Sequence, residues 1–278
     1  MKMETKKTVN KKLKRIFLSL LLPAAMTASV TCYAQGDSGI PPHQVRVASY
    51  NIQHGMGMDN QLNYKRIAEV LRAISPDVVA VQEVDSMTQR TNNTYALGEI
   101  AEQLNYHASY APAIDFEGGK YGIGILSRER PISVRQYALP GTEEARTLLV
   151  AEFDDFVFAS THLSLTEADR MASIGIIEEV AKKSGKPFVV AGDLNAQPDS
   201  PFIRQFEETF QICSSKQKSW PADKPTECLD YIAAYKRKSA GKSGKGGAQQ
   251  PAVTLFSDVL NTQASDHRPI VAELVLPR

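Results

Sequence analysis

Oxygen donors and imidazoles recur along the 278-residue chain, most of them directly after a run of apolar residues. The carboxylates and amides are Asn51, Glu83, Asp193, Asn195, Asp230 and Asp266, and the imidazoles are His162 and His267. Oxygen ligands without cysteine thiolates suit Mg²⁺, Mn²⁺ or Ca²⁺ rather than structural zinc. An imidazole N–H can donate to a phosphoryl oxygen, and a carboxylate such as Asp230 can fix its tautomer and raise its pKa. These residue types predict metal-assisted attack by water.

Two other catalytic designs are absent from the sequence. No serine stands in a Gly-x-Ser-x-Gly elbow, and no Walker-type glycine loop for binding phosphate occurs. A single Asp at a strand end is more often a turn former or a helix cap than a catalytic group. The functional prediction therefore rests on the whole set occurring together.

The hydrophobic pattern indicates which elements hold these residues. Apolar runs predict strands near 45–50, 78–81, 106–111, 122–127, 131–139, 146–153, 155–161, 188–191, 229–234, 252–260 and 269–276. Apolar residues at helical spacing predict helices near 62–74, 95–104, 166–183 and 201–209. The strands between 106 and 161 are too close together for helical crossovers, so we expect an antiparallel meander there. The polar motifs then stand at strand ends, where binding clefts form.

A series of motifs carries a family resemblance. They are Asn51, Gln82-Glu83, Thr161-His162, Gly192-Asp193-Leu194-Asn195, Leu229-Asp230-Tyr231-Ile232 and Ser265-Asp266-His267. In this order, from residue 45 to about residue 276, they resemble the endonuclease/exonuclease/phosphatase superfamily of DNase-like, metal-dependent phosphoesterases. Gln82-Glu83-Val84-Asp85 and the phrase at 121–128 are most similar to small exported bacterial members. The resemblance implies an α/β fold, a four-layered sandwich in which two mainly antiparallel sheets pack face to face with helices outside.

The resemblance also implies a metal side and a water side. Asn51, Glu83 and Asp266 would form the metal side, with Glu83 the main ligand of Mg²⁺ or Mn²⁺. Asp193 would orient or deprotonate the attacking water, and Asn195 would position that water or bind the phosphate.

The remaining roles belong to the histidines. His162 and His267 would stabilise charge on the phosphoryl oxygens, and Asp230 would support a histidine. The chain departs from the family at Gly122-Ile123-Gly124, where many members carry Gly-Asn-Ala. We therefore expect one substrate contact common in relatives to be missing.

The implied function is an enzyme, a metal-dependent hydrolase of a phosphodiester or a phosphomonoester. The alternative is a non-catalytic lipid- or carbohydrate-binding protein on the same scaffold. The complete set of site residues favours the enzyme, because a degenerate member would be expected to lose several of them. Fold does not choose the substrate, and we expect a small one: a sugar phosphate, a lipid head group or a nucleotide. We expect a monomer.

Residues 1–34 have the pattern of a secretory signal peptide: a basic start, an apolar run at 16–25 and small residues before Gln35. The run is shorter than the roughly 20 residues of a membrane span, so we favour cleavage over an uncleaved anchor or lipidation of Cys32. A linker at 35–44 and one domain at 45–278 follow, with no transmembrane span. Removing 1–34 leaves 25 basic and 30 acidic residues, a net charge near −5, which argues against long nucleic acid as the substrate. The sequence predicts an exported protein, periplasmic or extracellular.

Two features leave alternatives open. Cys213 and Cys228 of an exported chain are candidates for a disulfide, or both are buried thiols. The segment 236–250 carries five basic residues and no acidic one. It either steers an anionic substrate or is a solvated insertion. We favour the insertion, since connections alternate between the two rims of a sheet and this one need not lie beside the site.

Overall fold

The computed structural model describes residues 43–236 and 251–277. Its strands are, in chain order, β1 (His43–Asn51), β2 (Val78–Ser86), β3 (His107–Phe116), β4 (Gly119–Ser127), β5 (Ser133–Leu139), β6 (Arg146–Glu152), β7 (Val157–His162), β8 (Phe188–Asp193), β9 (Phe210–Ile212), β10 (Asp230–Tyr235), β11 (Val253–Val259) and β12 (Ile270–Leu276). Its α-helices are α1 (Tyr64–Ile74), α2 (Ala96–Leu104), α3 (Glu167–Ser184) and α4 (Pro201–Thr209). The predicted signal peptide at 1–34, most of the linker at 35–44 and nearly all of the basic segment at 236–250 lie outside the described residues.

The strands form two six-stranded sheets. The first sheet has the order β11-β12-β1-β2-β4-β3, and the second has the order β5-β6-β7-β8-β10-β9. Two neighbouring pairs are parallel, β1 with β2 and β7 with β8, and each is joined by a helical crossover, α1 or α3. The remaining pairs are antiparallel. The prediction of two mainly antiparallel sheets is confirmed.

Alternation along the strands divides the apolar side chains among three layers. On β1, Val45 and Val47 face the second sheet, whereas Ala48 and Tyr50 pack on the side of α1 and α2. A third apolar cluster lies between the second sheet and the helices α3 and α4. Three apolar layers separate four layers of secondary structure, which confirms the predicted sandwich.

Three details differ from the sequence prediction. Between 106 and 161, β3 pairs antiparallel with β4, and β6 pairs antiparallel with both β5 and β7. They do not form one meander, because β3 and β4 join the first sheet and β5, β6 and β7 join the second. The three-residue strand β9 follows α4 without a break, too short for a periodic signal. β1 begins at His43, which pairs with Leu276, two residues before the predicted start of this strand at 45. In the described part of the chain, no helix is long and apolar enough to cross a membrane.

The strands of the sandwich end at two opposite edges, and different residues stand at each. Asn51 pairs with Gln82 at the end of β1, and Asp193 pairs with both His162 and Asp230. We call this edge the site edge. The opposite, far edge holds the start of β1 and the ends of β10 and β12. Lys236 and Pro251, which flank the residues 237–250, lie together at the far edge beside the end of β12.

Candidate active site

Regular alternation turns four polar side chains into the cleft between the sheets at the site edge. On β8, for example, Val189 and Ala191 face the first sheet, and Asp193 continues that row. The same rule applies to the other strands, and it places Asn51, His162 and Asp230 on the inner faces of β1, β7 and β10. All four are buried.

Glu83 reaches the cleft by a bulge. Val81 packs on the helix side of the first sheet, so strict alternation would point Glu83 to that side as well. Instead the register between β2 and β4 shifts just after Val81, and Glu83 has a left-handed backbone with φ 55°. Gln82 then accepts a hydrogen bond from Ser49 and Glu83 accepts one from Asn51, so both project toward β1.

Other residues at this edge also have left-handed backbones. Gln53 and His54, just after β1, have φ values of 44° and 48°, and Asn195, just after β8, has φ 49°. Non-glycine residues rarely adopt this conformation, and such strain concentrates at functional sites. Seven other described non-glycine residues also have positive φ, three of them at helix C-caps, so the position of these residues beside three predicted motifs is what makes this edge the candidate active site.

Asn51 joins the two sheets. Its Nδ2 donates to Glu83 Oε1 at 2.9 Å and to Asp193 Oδ2 at 3.3 Å. Its Oδ1 accepts from the backbone N–H of Gln53 at 3.1 Å, which fixes the orientation of the amide. As a metal ligand, Asn51 could therefore offer only the second lone pair of Oδ1.

Glu83 lies on the floor of the cleft, half-buried, with protein on most sides. Loss of contact with water raises the pKa of its carboxyl to about 7, and the charges of Asp266 and Asp193 add to the rise. The Asn51 amide and the charge of His267 act in the opposite direction. Carboxylates that repel each other in this way, all with hard oxygen donors, fit a divalent cation.

Asp266 is held by Ser265, which stands in the same predicted motif, and by Trp220, to which the sequence assigned no role. Its Oδ2 accepts from the indole N–H of Trp220 at 3.4 Å, and its Oδ1 accepts from Ser265 Oγ at 3.2 Å. Ser265 Oγ also lies 2.8 Å from the backbone oxygen of Asn51, which ties the Asp266 loop to β1. The only available signal was that Trp220 is the single tryptophan of the chain.

His267 and Asp230 form a buried pair in which Nδ1 lies 2.9 Å from Oδ2. Burial disfavours the charged imidazole, but Asp230, with Asp193 and Asp266, outweighs that effect and raises the pKa of His267 to about 10. At neutral pH both ring nitrogens are therefore donors. Nε2 faces the cleft and lies 3.7 Å from Asp193 Oδ2.

His162, in contrast to His267, is neutral at neutral pH. Burial lowers the pKa of its imidazole to about 4 against the opposing effect of Asp193, and the charges of Arg146 and His267 contribute to the lowering. Its Nε2 lies 3.6 Å from Asp193 Oδ2. Arg146, buried at the start of β6 and paired with Glu143 and Glu144, is a second residue that the sequence analysis missed. The available signal was a charged residue at the start of a strand whose centre, residues 148–151, is apolar.

Asp193 is the centre of the constellation. The backbone N–H of Asn195 donates to Asp193 Oδ1 at 2.9 Å, which leaves Oδ2 toward Asn51 and both histidines. The side chain of Asn195 donates to the backbone oxygen of Leu163 at 2.8 Å, next to His162. Asn195 therefore braces β8 against β7, and its Oδ1 and second N–H remain for a water or a substrate.

Geometry also selects a trio with metal-ligand types, Asp193, Asp230 and His267, whose nearest ligand atoms all lie within 4.8 Å of one another. This trio differs from the predicted metal side, Asn51, Glu83 and Asp266. A cation at the trio would compete with the hydrogen bond between His267 and Asp230, and His267 would have to be neutral. The structure thus gathers all eight predicted residues at one edge, in two adjoining groups.

Two further expectations can be compared with the structure. Cys213 and Cys228 are both buried free thiols, so the structure matches the thiol alternative. Ile123, at the position where many relatives carry Asn, is buried among the apolar residues between the sheets. No amide from this position reaches the cleft.

A sequence model of the endonuclease/exonuclease/phosphatase family matches residues 48–267. A search of curated proteins gave no significant match. Among solved structures, the chain is similar to an endonuclease/exonuclease/phosphatase from Bacteroides vulgatus, with 18% identity and a TM-score of 0.68 over 84% of this chain and 99% of that one. A protein of the same description from Beutenbergia cavernae DSM 12333 has 22% identity and a TM-score of 0.65, over 84% and 72% of the two chains.

A third similar structure carries a more specific description. It is a mannosyl-6-phosphatase from Bacteroides thetaiotaomicron VPI-5482, with 16% identity and a TM-score of 0.63, over 83% of this chain and 99% of that one. At these identities the likeness concerns the fold.

Proposed function

Because the chain belongs to the endonuclease/exonuclease/phosphatase family, we propose that it hydrolyses phosphoric esters with the help of a divalent cation. One observation carries this proposal: a group that favours a bound cation and a group that favours a bound anion lie on either side of Asp193. Glu83 is a carboxylate whose pKa is raised by burial and by its acidic neighbours, and His267 is an imidazolium. The first suits a cation and the second suits a phosphate oxygen.

Glu83 and Asp266 are the residues that would hold the cation, Mg²⁺ or Mn²⁺, with Asn51 beside them. When bound, such an ion neutralises charge that develops on the phosphoryl oxygens and lowers the pKa of a coordinated water. We place it here rather than at Asp193, Asp230 and His267 because the hydrogen bond of the histidine then remains intact.

The side chains divide the reaction among them. Asp193 Oδ2 orients the attacking water and accepts its proton, while the bond from phosphorus to the leaving oxygen breaks. Asn195 holds Asp193 through the backbone N–H bond to Oδ1. His267 donates from Nε2 to a phosphoryl oxygen, and neutral His162 faces the same oxygen of Asp193 from the other side.

The substrate class follows from charge and from one similar structure. A mature chain with net charge near −5 favours a small phosphorylated molecule over long nucleic acid. The mannosyl-6-phosphatase makes a sugar phosphate the first candidate, ahead of a lipid head group or a nucleotide. The pattern of residues 1–34 supports export to the periplasm or the medium.

The test uses the purified protein with p-nitrophenyl phosphate, bis-p-nitrophenyl phosphate and mannose 6-phosphate. We expect hydrolysis of at least one ester that EDTA abolishes and that added Mg²⁺ or Mn²⁺ restores. A protein that hydrolyses no ester with either ion would contradict the proposal.

A second arm detects the cation without any substrate. Trp220 is the only tryptophan and donates to Asp266, so paramagnetic Mn²⁺ should quench the intrinsic fluorescence. Glu83→Gln should abolish saturable quenching. Equal quenching in Glu83→Gln would move the cation away from Glu83.

A further inference from the structure

One oxygen of Asp230 carries two contacts and the other carries none in the described part of the chain. Oδ2 lies 2.9 Å from His267 Nδ1 and accepts a second hydrogen bond, at 2.5 Å, from Ser219 Oγ. Oδ1 is buried and has no hydrogen-bond partner among the described residues. The carboxylate is thus held by one oxygen only, and its orientation depends on both partners of that oxygen.

Ser219 is itself rigidly placed. It is fully buried, and its backbone N–H donates to the backbone oxygen of Glu227 at 2.8 Å. Its backbone oxygen accepts from the backbone N–H of Arg268 at 2.8 Å. The neighbouring Trp220 donates to Asp266. Residues 219 and 220 therefore contact both acids that lie beside His267, and two backbone bonds fix the hydroxyl of Ser219 against Asp230.

Building on the function proposed above, we propose that Ser219 is a positioning residue: its hydroxyl orients the Asp230 carboxylate and, through it, the ring of His267. Without the hydroxyl, Asp230 can rotate until the unpartnered Oδ1 competes for the proton on Nδ1. The ring then turns with its acceptor, and Nε2 no longer has a single direction toward the cleft. Ser219 does not touch the substrate, so it acts on turnover and not on ground-state binding.

Kinetics of Ser219→Ala in two backgrounds test this role. In the wild type we expect kcat to fall about 10- to 100-fold, as for other residues that orient a catalytic group, with KM changed less than about twofold. In Asp230→Asn the same change should cost less than about threefold, because the acceptor is already altered. Ser173→Ala is the matched control, since Ser173 is equally buried and donates to a backbone oxygen within α3.

Wild-type kcat in Ser219→Ala, or the same loss in both backgrounds, would overturn the proposal. If Ser219→Ala does not fold, Ser219→Cys replaces it, because a thiol is a much weaker donor. A second measurement, the NMR signal of the His267 Nδ1 proton, needs no activity. We expect a sharp downfield signal that Ser219→Ala broadens or removes and that Ser173→Ala leaves in place. An unchanged signal contradicts the role of Ser219, whereas absence of all esterase activity contradicts only the proposed function.

Discussion

The second sheet delivers His162, Asp193 and Asp230 from unbroken strands, whereas the first sheet delivers Glu83 only through a bulge with a left-handed residue. The groups of the second sheet have charged or hydrogen-bonded partners on the protein. Asp230 pairs with His267, and Asp193 accepts from Asn195 and Asn51. Glu83 has one amide donor and two acidic neighbours that oppose its charge.

This difference indicates in which half of the site the protein alone supplies partners for the charged groups. The acids of the second sheet, Asp193 and Asp230, have protein partners before any ligand arrives: the imidazolium of His267, which lies just before β12, and amides from Asn51 and Asn195. The first sheet holds strain and uncompensated negative charge, which are stable only because the surrounding sandwich fixes them and which a cation would relieve.

The largest expected effect is on Glu83, in the half that we propose holds the cation. Glu83→Gln should lower kcat at saturating Mg²⁺ by about 10³-fold or more, because the ion that offsets phosphoryl charge loses its main ligand. Glu69→Gln, on the exposed face of α1, is the control and should leave kcat unchanged. Turnover of Glu83→Gln within tenfold of the wild type would break the comparison.

The two histidines of the constellation should differ from each other. His267→Ala should lose about 10²- to 10³-fold in kcat and less in KM, because a charged donor is strongest in the transition state. His162→Ala should lose less, since a pKa of about 4 leaves His162 neutral.

The pH dependence of kcat tests the same assignment. With a pKa of about 10, His267 stays protonated through neutral pH and loses its proton only as the pH approaches that value. We therefore expect no alkaline loss of kcat from this group below about pH 9. A loss centred near the ordinary histidine pKa, or equal effects of the two alanine variants, would remove the distinction.

Thermal unfolding in EDTA compares the halves without any reaction. The pKa of Glu83 is raised to about 7 in the folded state, above its unfolded value, so its ionisation costs stability as the pH rises above the unfolded value. Glu83→Gln should therefore raise the Tm at about pH 8, by roughly 2–4 °C if about 1 kcal/mol is recovered. Asp193→Asn should lower the Tm, because it weakens the contacts with two histidines. Tm shifts of the same sign in both variants would show that the charges of the two halves are balanced alike.

The smallest expected effect concerns the basic segment. Lys236 and Pro251, at its two ends, lie at the far edge. Replacing Lys236, Arg237, Lys238, Lys242 and Lys245 by Ser and Gln should leave kcat/KM unchanged at every ionic strength. A lower value at low salt that converges on the wild type at high salt would instead assign steering to the segment.

Much of this contrast was available from the sequence. Apolar runs that end in Asp193 or His162 predicted buried strands, and a period of two residues carries those side chains into the cleft without further information. The family resemblance supplied the order of the motifs and the sandwich.

The rest depended on geometry that a sequence pattern does not carry. The period along β2 predicts that Glu83 faces the helices, and only the shifted register with β4 reverses it. The contacts of Ser219 and Trp220 join positions separated by 11 and 46 residues, between which no local pattern connects them. The division of residues 106–161 between two sheets was missed for the same reason: spacing shows that neighbouring strands are antiparallel but not which sheet receives them.

The bulge in β2 also has a genetic consequence. Two residues, Gln82 and Glu83, stand between Val81 and Val84, and loss of either codon would restore a regular strand. Loss of Gln82 would leave Glu83 on the inner face, whereas loss of Glu83 would leave Gln82 there and remove the carboxylate. Either product would retain the alternation that packs the sandwich. An in-frame deletion in this short stretch could therefore keep the fold and remove the carboxylate of the candidate site.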